Sequence, residues 1–365
     1  MAQGTVVTYA AGREGYLRTH EGITHTALAR ELAGLKGYAF GGEYVRGRHA
    51  PAHCYFVPRD TLCAEDAAEL GIREPEDLFG GVVPLGFART KVITHGLLGE
   101  ESDRPPGWSR AFSRAVADEV LPGFTVFNRR EAELAGLRLL EGGPVRVKNP
   151  LAAGGRDQWV VTRREELTAV LAPLADGDIA RHGLVLERNL SQVSTLSVGL
   201  VVLEGLTLAY HGTQWNTRDN LGRSVYGGSR LFVVRGGGEA LLGLELPPRV
   251  RRAIAQALVY DRAATEHYGV IASRRNYDVA VGVDDQGREL SGVLEQSWRV
   301  GGASGAELAA FQELQRLQER PAVSASCTEV YGEEAQPPPG ARVVFQGLDP
   351  EVGPLLKYTV IHEDA

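Results

Sequence analysis

The sequence predicts a mixed α/β protein, α+β in its later part, with an N-terminal α/β layer domain ahead of hairpin-rich segments. Three observations carry this. Residues 1–125 alternate short apolar runs with helical periods, the pattern of a layered α/β domain. A strong helix reads from "PPRVRRAIAQALVYDRAATEHYG", with Pro in its first turn and Gly269 past its end. Next, "NYDVAVGVDDQGRELSGVLE" alternates about a "DDQG" turn, as a β-hairpin does.

Each element has its own warrant. "TVVTYA" is a short apolar strand, and "THEGITHTALARELAGL" has helical period with Thr19 as N-cap. "HCYFVPRDTL" is a strand ending at Pro58, and "CAEDAAELG" a helix stopped by Gly71. "PLGFARTKVITHGLLG" reads as a helix with Lys91 on its polar face. After the loop "GEESDRPPGWSR", "PGFTVFNRREAELAGLRLL" gives a strand and a helix capped by Asn128. "GPVRVKNPLAAGGRDQWVV" reads as strand, Gly/Ala-rich tip, strand; "EELTAVLAPLA" is a helix and "GLVLERNL" a strand. "LSVGLVVLEGLTLAYHG" is two strands turning at Glu204-Gly205. "TQWNTRDNLGRSVYGGS" reads as a long polar loop, the kind that carries function. The last forty residues hold "QPPPG" and two more strands, and no internal repeat is present.

Bulk properties exclude several classes. The chain has 365 residues, 43% hydrophobic and 23% charged, enough for a real core. Its net charge of −7, without a block of like charge, disfavours nucleic-acid and membrane-surface partners. No apolar run reaches the roughly 18 residues of a membrane helix. The N-terminus lacks a basic segment followed by an apolar one, so no signal peptide is expected. Cys54, Cys63 and Cys327 are too few and too scattered for a disulfide framework or a zinc site. Reduced thiols in a cytoplasmic protein are expected. Only four of the 39 basic residues are lysine: Lys36, Lys91, Lys148 and Lys357. Where so arginine-rich a chain keeps lysine, a compact ammonium has its own use.

The hairpin runs into "GVLEQSWRVGGASGAE", a carboxylate at the end of an apolar strand followed by Ser, Arg and a glycine pair. If the turn pairs Asp284 with Gly287, alternation puts Arg274, Asn276, Asp278, Glu295, Ser297 and Arg299 on one face. Asp278 and Glu295 then become diagonal neighbours, about 7–8 Å apart at Cα. Two such carboxylates suit magnesium, which takes one or two carboxylates together with substrate phosphates. The arginines beside them, and the glycines leading into a helix, suit a phosphate. Lys148 ends the strand "PVRVK" before the glycine-rich tip and can meet phosphates there. Neither a P-loop nor a dinucleotide fingerprint is present.

Taken in order, an α/β N-terminal domain, a Lys on a helix, a Lys before a glycine-rich flap, a "VLE-x-x-L" hinge, a long helix and a hairpin with Asp on one strand and Glu on the other, the chain resembles the ATP-grasp superfamily over about residues 85–320. "SRRNYDVAVG" and "GVLEQSWRVGGASGAEL" look like an uncharacterised bacterial family of such proteins. The resemblance implies an ATP-grasp fold in which two α+β subdomains sandwich the nucleotide. It divides the chain into 1–125, an N-terminal α/β domain; 126–190, a small subdomain with the flap; 191–325, a large subdomain with the metal hairpin; and 326–365, an accessory segment. It implies ATP and two Mg2+ ions, with Mn2+ as a substitute.

By position, the resemblance places Lys91 and Lys148 on ATP phosphates and the Ala152–Gly155 tip, with Gly154 and Gly155, in the flap. Glu187 would meet the adenine amino group, with Arg188, Asn189 and Leu190 as hinge and lid. Asp278, Glu295 and Ser297 would be metal ligands. Gly301, Gly302 and Ser304 would hold the acceptor or its phosphate, and Lys148, Arg299 and Arg274 would spread the charge of phosphoryl transfer. Gln214, Arg218, Arg223 and Tyr226 would line the substrate pocket. Ser297 stands where the superfamily usually has Asn, Ser194 where it often has a ribose-binding Glu, and the Arg expected just before Asp278 is displaced to Arg274. The activity implied is a carboxylate–amine or carboxylate–thiol ligase on a small-molecule or peptide carboxylate, acting through an acyl phosphate. A small-molecule kinase and a non-catalytic nucleotide-binding protein are the alternatives. Related folds often form homodimers.

Overall fold

The computed structural model describes residues 4–13, 15–49, 53–152 and 157–363. Strand β1 (Thr5–Tyr9) buries Val6 and Val7 completely and pairs in parallel with β2 (Ala39–Glu43) on one side and β3 (Cys54–Pro58) on the other. Parallel neighbours need a crossover, and helix α1 (His20–Lys36) supplies the first. Its start is fixed by Thr19, whose hydroxyl accepts from the Gly22 N–H at 3.2 Å, and its end by left-handed Gly37. The strand order β2-β1-β3 places β1 at the point where the chain switches sides.

A four-stranded antiparallel sheet follows. It is built from β4 (Gly123–Val126), β5 (Val145–Lys148), β6 (Gln158–Val161) and β7 (Leu184–Arg188) in the order β4-β7-β5-β6. Helices α2 (Arg129–Leu140) and α3 (Arg164–Leu171) cover it, burying Ala132, Ala135, Leu139, Leu167 and Leu171 against Val145, Val147 and Leu186. Asn128 caps α2, its side chain accepting from the Glu131 N–H at 2.7 Å.

The largest layer is an eight-stranded antiparallel sheet. Its strands are β8 (Ser191–Leu203), β9 (Leu206–Arg218), β10 (Ser224–Arg235), β11 (Arg274–Val283), β12 (Glu289–Ser297), β13 (Ala322–Tyr331), β14 (Arg342–Asp349) and β15 (Gly353–His362), in the order β12-β11-β8-β9-β10-β13-β15-β14. One face packs on helix α4 (Pro248–Tyr268) through Ile254, Ala257, Tyr260 and Ala264 against Val198, Tyr277 and Val279. The other packs on α5 (Ser304–Arg316) and α1 through Leu308, Phe311, Leu314, Leu28 and Leu32. Each such fully buried Leu, Ile or Phe contributes about 1.5–3 kcal/mol, so the sheet is held rigidly from both sides. No helix among the described residues is long and apolar enough to cross a membrane.

Two sequence expectations are corrected. The segment "PLGFARTKVITHGLLG" is two 3₁₀ turns, Gly86–Arg89 and Lys91–Ile93, separated by extended Thr90. Its β-branched Thr90, Val92, Ile93 and Thr94 disfavour a longer helix, and the Thr90 hydroxyl restarts the turn by accepting from the Val92 N–H at 3.3 Å. Lys91 is therefore buried, not on a polar face. The expected loop over Thr213–Ser229 is instead the tip of the β9–β10 hairpin. Its turn is built by Asp219, whose Oδ1 accepts from the N–H groups of Leu221 and Arg223, both at 2.9 Å. The tip strands carry polar residues on both faces, so no apolar alternation marked them.

Candidate active site

Strands β11 and β12 place Asp278 directly opposite Glu295, with Asn276 opposite Ser297. This corrects the diagonal register. The turn pairs Val283 with Glu289, and a bulge between Asp278 and Val279 inserts one more residue on β12. Directly opposed side chains stand about 5 Å apart at Cβ. Burial, then the Glu295 charge, push the half-buried Asp278 carboxyl above its ordinary range, against hydrogen bonds from Asn276, Gln214 and Ser197. Asp278 Oδ1 accepts from Asn276 Nδ2 at 3.1 Å and from Ser197 Oγ at 3.2 Å.

Lys91 reaches the same pair. Its Nζ lies 2.6 Å from Glu295 Oε2 and donates to the Ala152 carbonyl at 2.9 Å. One ammonium thus ties the hairpin to the start of the glycine-rich tip; Gly154 and Gly155 lie outside the described residues. What delivers Lys91 is Gln296, which points to the other face of β12. Its Nε2 donates to the carbonyls of Ala88 at 3.0 Å and Thr90 at 2.9 Å, and its Oε1 accepts from Tyr260 at 3.0 Å.

A second ion pair lies in the four-stranded sheet. Lys148 Nζ is 2.5 Å from Glu187 Oε1, and His95 Nε2 donates to Glu187 Oε2 at 3.0 Å, all three side chains being at most 4% exposed. Burial works to raise the Glu187 carboxyl, but Lys148 and His95 outweigh it and hold it at about 2. Both Glu187 oxygens are committed inside the protein, which corrects its assignment to an adenine amino group. Arg188 and Leu190 are buried, and Asn189 Oδ1 accepts from Arg146 at 2.7 Å. One guanidinium nitrogen of Arg188, Nη1, has no partner among the described residues.

Several other predicted residues are spent on structure. Arg274 is buried against Glu307, with Nη2 2.6 Å from Oε1, and Nη1 donates to the carbonyls of Ser297 at 3.1 Å and Arg299 at 2.6 Å. Arg274 also donates to Ser297 Oγ at 3.3 Å. That bond places a cation beside Ser297 and corrects its role as a metal ligand. Ser304 is fully buried and accepts from the Gly301 N–H at 3.0 Å, closing the turn that leads into α5. Gly302 leaves room for the Tyr226 ring, which a Cβ there would approach to 2.6 Å. Tyr226 bonds Ser229 Oγ at 2.6 Å. The structure does not bring Arg218 and Arg223 to the carboxylates. Gly212 pairs with Ser197 beside Asp278, and Arg218 lies six residues on, about 20 Å along the strand. Arg218 donates to Gly222 O at 2.7 Å, and Arg223 pairs with Asp219 at 2.7 Å. Only Gln214 of that group reaches Asp278. Arg299 is half-buried at the exit of β12.

The residues present fit a magnesium nucleotide. Two opposed carboxylates meet one ammonium, leaving negative charge that a divalent cation can take up. The described residues hold no cluster of three or more His, Cys, Asp or Glu side chains for a fully protein-ligated metal. Such a pair matches magnesium that draws its remaining oxygens from phosphates and water.

No curated protein is significantly similar in sequence. Solved structures are similar in fold. Against N5-carboxyaminoimidazole synthase from Aspergillus clavatus, in complex with ADP and an aminoimidazole ribonucleotide, the TM-score is 0.55 at 11% identity, covering 99% of this chain and 95% of that one. Against biotin carboxylase from Campylobacter jejuni, in a β,γ-ATP complex, it is 0.53 at 12% identity, covering 100% and 88%. Against the biotin carboxylase domain of Hydrogenobacter thermophilus 2-oxoglutarate carboxylase, in complex with MgADP, ADP and bicarbonate, it is 0.52 at 13% identity, covering 99% and 87%. The expected ATP-grasp fold is the fold of this chain. The model of the family described as "Protein of unknown function (DUF3182)" matches residues 8–359, and the chain belongs to that family.

Proposed function

We propose that the chain is an ATP- and magnesium-dependent ligase that joins a carboxylate to an amine or thiol. The observation that carries this is the Asp278–Glu295 pair facing Lys91, with Lys91 also touching the start of the flap. In this reading Asp278 and Glu295 hold one Mg2+, and Ser297 plays no part. The metal, when bound, neutralises phosphate charge. Lys91 binds a phosphate oxygen, Lys148 stays paired with Glu187, and Arg299 faces the acceptor. The acceptor carboxylate attacks the γ-phosphorus, ADP leaves, and the amine or thiol then displaces phosphate from the acyl phosphate. No protein nucleophile is needed. The ADP and MgADP of the structurally similar enzymes support the choice of nucleotide.

A non-catalytic nucleotide-binding protein is the second reading, favoured by the tie between Ser297 and Arg274 and by exposed Ser194 on β8. A panel of carboxylates and amines, assayed for ADP and phosphate release with hydroxylamine as trap, separates the two. The ligase reading expects acceptor-dependent ADP release, lost in Glu295→Gln. ADP formed without free phosphate indicates a kinase. MgATP that raises the melting temperature without turnover on any acceptor defeats the ligase reading.

A further inference from the structure

We propose that β14 is a homodimer interface, pairing antiparallel with β14 of a second copy about a two-fold axis at Gln346. The inference does not depend on the ligase reading. The large sheet has two edges, and the chain treats them differently. At β12 the Val293 N–H donates to the Glu119 carbonyl at 2.8 Å, and a Cβ on Gly292 would come within 2.5 Å of the Leu121 nitrogen. That edge is covered by the chain itself. At the far edge β14 pairs only with β15, and among the described residues no other main-chain group bonds to the backbone of Arg342–Asp349. Eight residues, about 27 Å of strand, therefore present a row of open N–H and C=O groups.

This edge lacks the residues that usually blunt one. "RVVFQGLD" contains neither Pro nor Lys. Its outward side chains include Val343, 42% exposed, and Leu348, 78% exposed, the most exposed large apolar side chain among the described residues. Water meets both where a neighbouring strand would cover them.

A bulge at Val344 decides what that neighbour is. In a regular strand Val343 and Leu348, an odd number of residues apart, would point to opposite faces. The bulge adds one residue, so that Val343 stands opposite Tyr358 and Phe345 opposite Lys357. Val343, Gln346 and Leu348 then share the solvent face, while Phe345 and Asp349 are buried on the other. Turning a second copy about Gln346 sets Val343 against the partner's Leu348 at both ends, and Gln346 against the partner's Gln346. On the other face Arg342 meets the partner's Asp349, an opposite-charge pair, and no like charges meet. The strand is complementary to itself in this one register. Two-fold pairing closes on itself, so the product is a dimer and not a filament.

Sedimentation equilibrium of the full chain should give the mass of a dimer. Val343→Asp alone and Leu348→Lys alone should each raise its dissociation constant at least tenfold, because each sets a charge against an apolar side chain. An equimolar mixture of the two variants should dimerise again, since the new carboxylate faces the new ammonium at one end and Leu faces Val at the other. The double variant should recover as well. Gln346→Cys, on the axis, should form an intermolecular disulfide in air, its opposed Cα atoms lying about 5 Å apart; the wild type, with Cys54, Cys63 and Cys327, is the control. This exposed substitution decides the matter if a charged variant fails to fold. A monomeric wild type, a dimer indifferent to both single substitutions, or a mixture that stays monomeric overturns the proposal. MgADP affinity should be the same in every variant, because β11 and β12 lie at the opposite edge of the sheet. If MgADP does not bind but the charge exchange still restores the dimer, the ligase reading falls and the interface stands.

Discussion

Glu187 shows what one buried carboxylate costs and returns. Held at about 2 against an ordinary 4.5, it favours the folded state by about 3 kcal/mol at neutral pH. Because the folded value is the lower one, this stability is complete above pH 4.5 and is lost as pH falls toward 2. Urea unfolding over that range should show the slope in the wild type and a flatter profile in Glu187→Gln, which also loses about 3 kcal/mol at pH 7 by leaving Lys148 buried without its anion. An unchanged acid slope in the variant would remove Glu187 as its source. Glu187 and Lys148 were legible in the sequence as a strand acid and a strand-end lysine, but their mutual commitment was not. His95, the third member, was missed because a lone histidine four residues after Lys91 carries no ligand spacing. Only the fold brings it to β7.

At the scale of elements, the β11–β12 hairpin is held by a chain of polar contacts running into α5. Tyr210 lies 2.6 Å from Glu307 Oε1 and 2.9 Å from Asn276 Oδ1, and Asn276 in turn supports Asp278. Glu307→Gln should cost about 3–5 kcal/mol, since Arg274 would remain buried without its counter-charge. Tyr210→Phe should cost only about 1–3 kcal/mol but weaken Mn2+ binding followed by its electron paramagnetic resonance signal. Equal losses of stability in the two variants would argue that the ion pair holds the hairpin no more strongly than the phenol does. The sequence set Asp278 and Glu295 on one face only by assuming a different turn register. From the Val283–Glu289 pairing, unbroken alternation would put Leu294 opposite Asp278, so both the shared face and the direct opposition depend on a bulge that no residue pattern announces. The same limit explains Lys91. Its neighbours "TKVIT" favour extended or tight-turn backbone, but the hydrogen bonds from Gln296 that seat the segment span over 200 positions.

For the whole molecule, the order of the elements was the most readable feature: layered N-terminal part, strand pair, long helix, hairpin. The eight-stranded sheet was less so, because three of its strands come from residues 322–362, after α5. Pairing between segments so far apart in sequence is a tertiary fact. The melting temperature should rise with MgADP, by about 2.7 kcal/mol of stability at one hundred times its dissociation constant.

Lys91 is shared between a carboxylate of one layer and a backbone oxygen of another. A dication arriving at Glu295 repels that ammonium, and an ammonium set loose seeks a new negative partner. Either ion entering by itself leaves a charge stranded, whereas the two arriving together leave none. Calorimetric titration should therefore find Mg2+ alone and ADP alone weak, with each tightening the other by the same factor. In Lys91→Met that mutual gain should shrink, and undiminished coupling there would show that the charge exchange does not pass through this side chain.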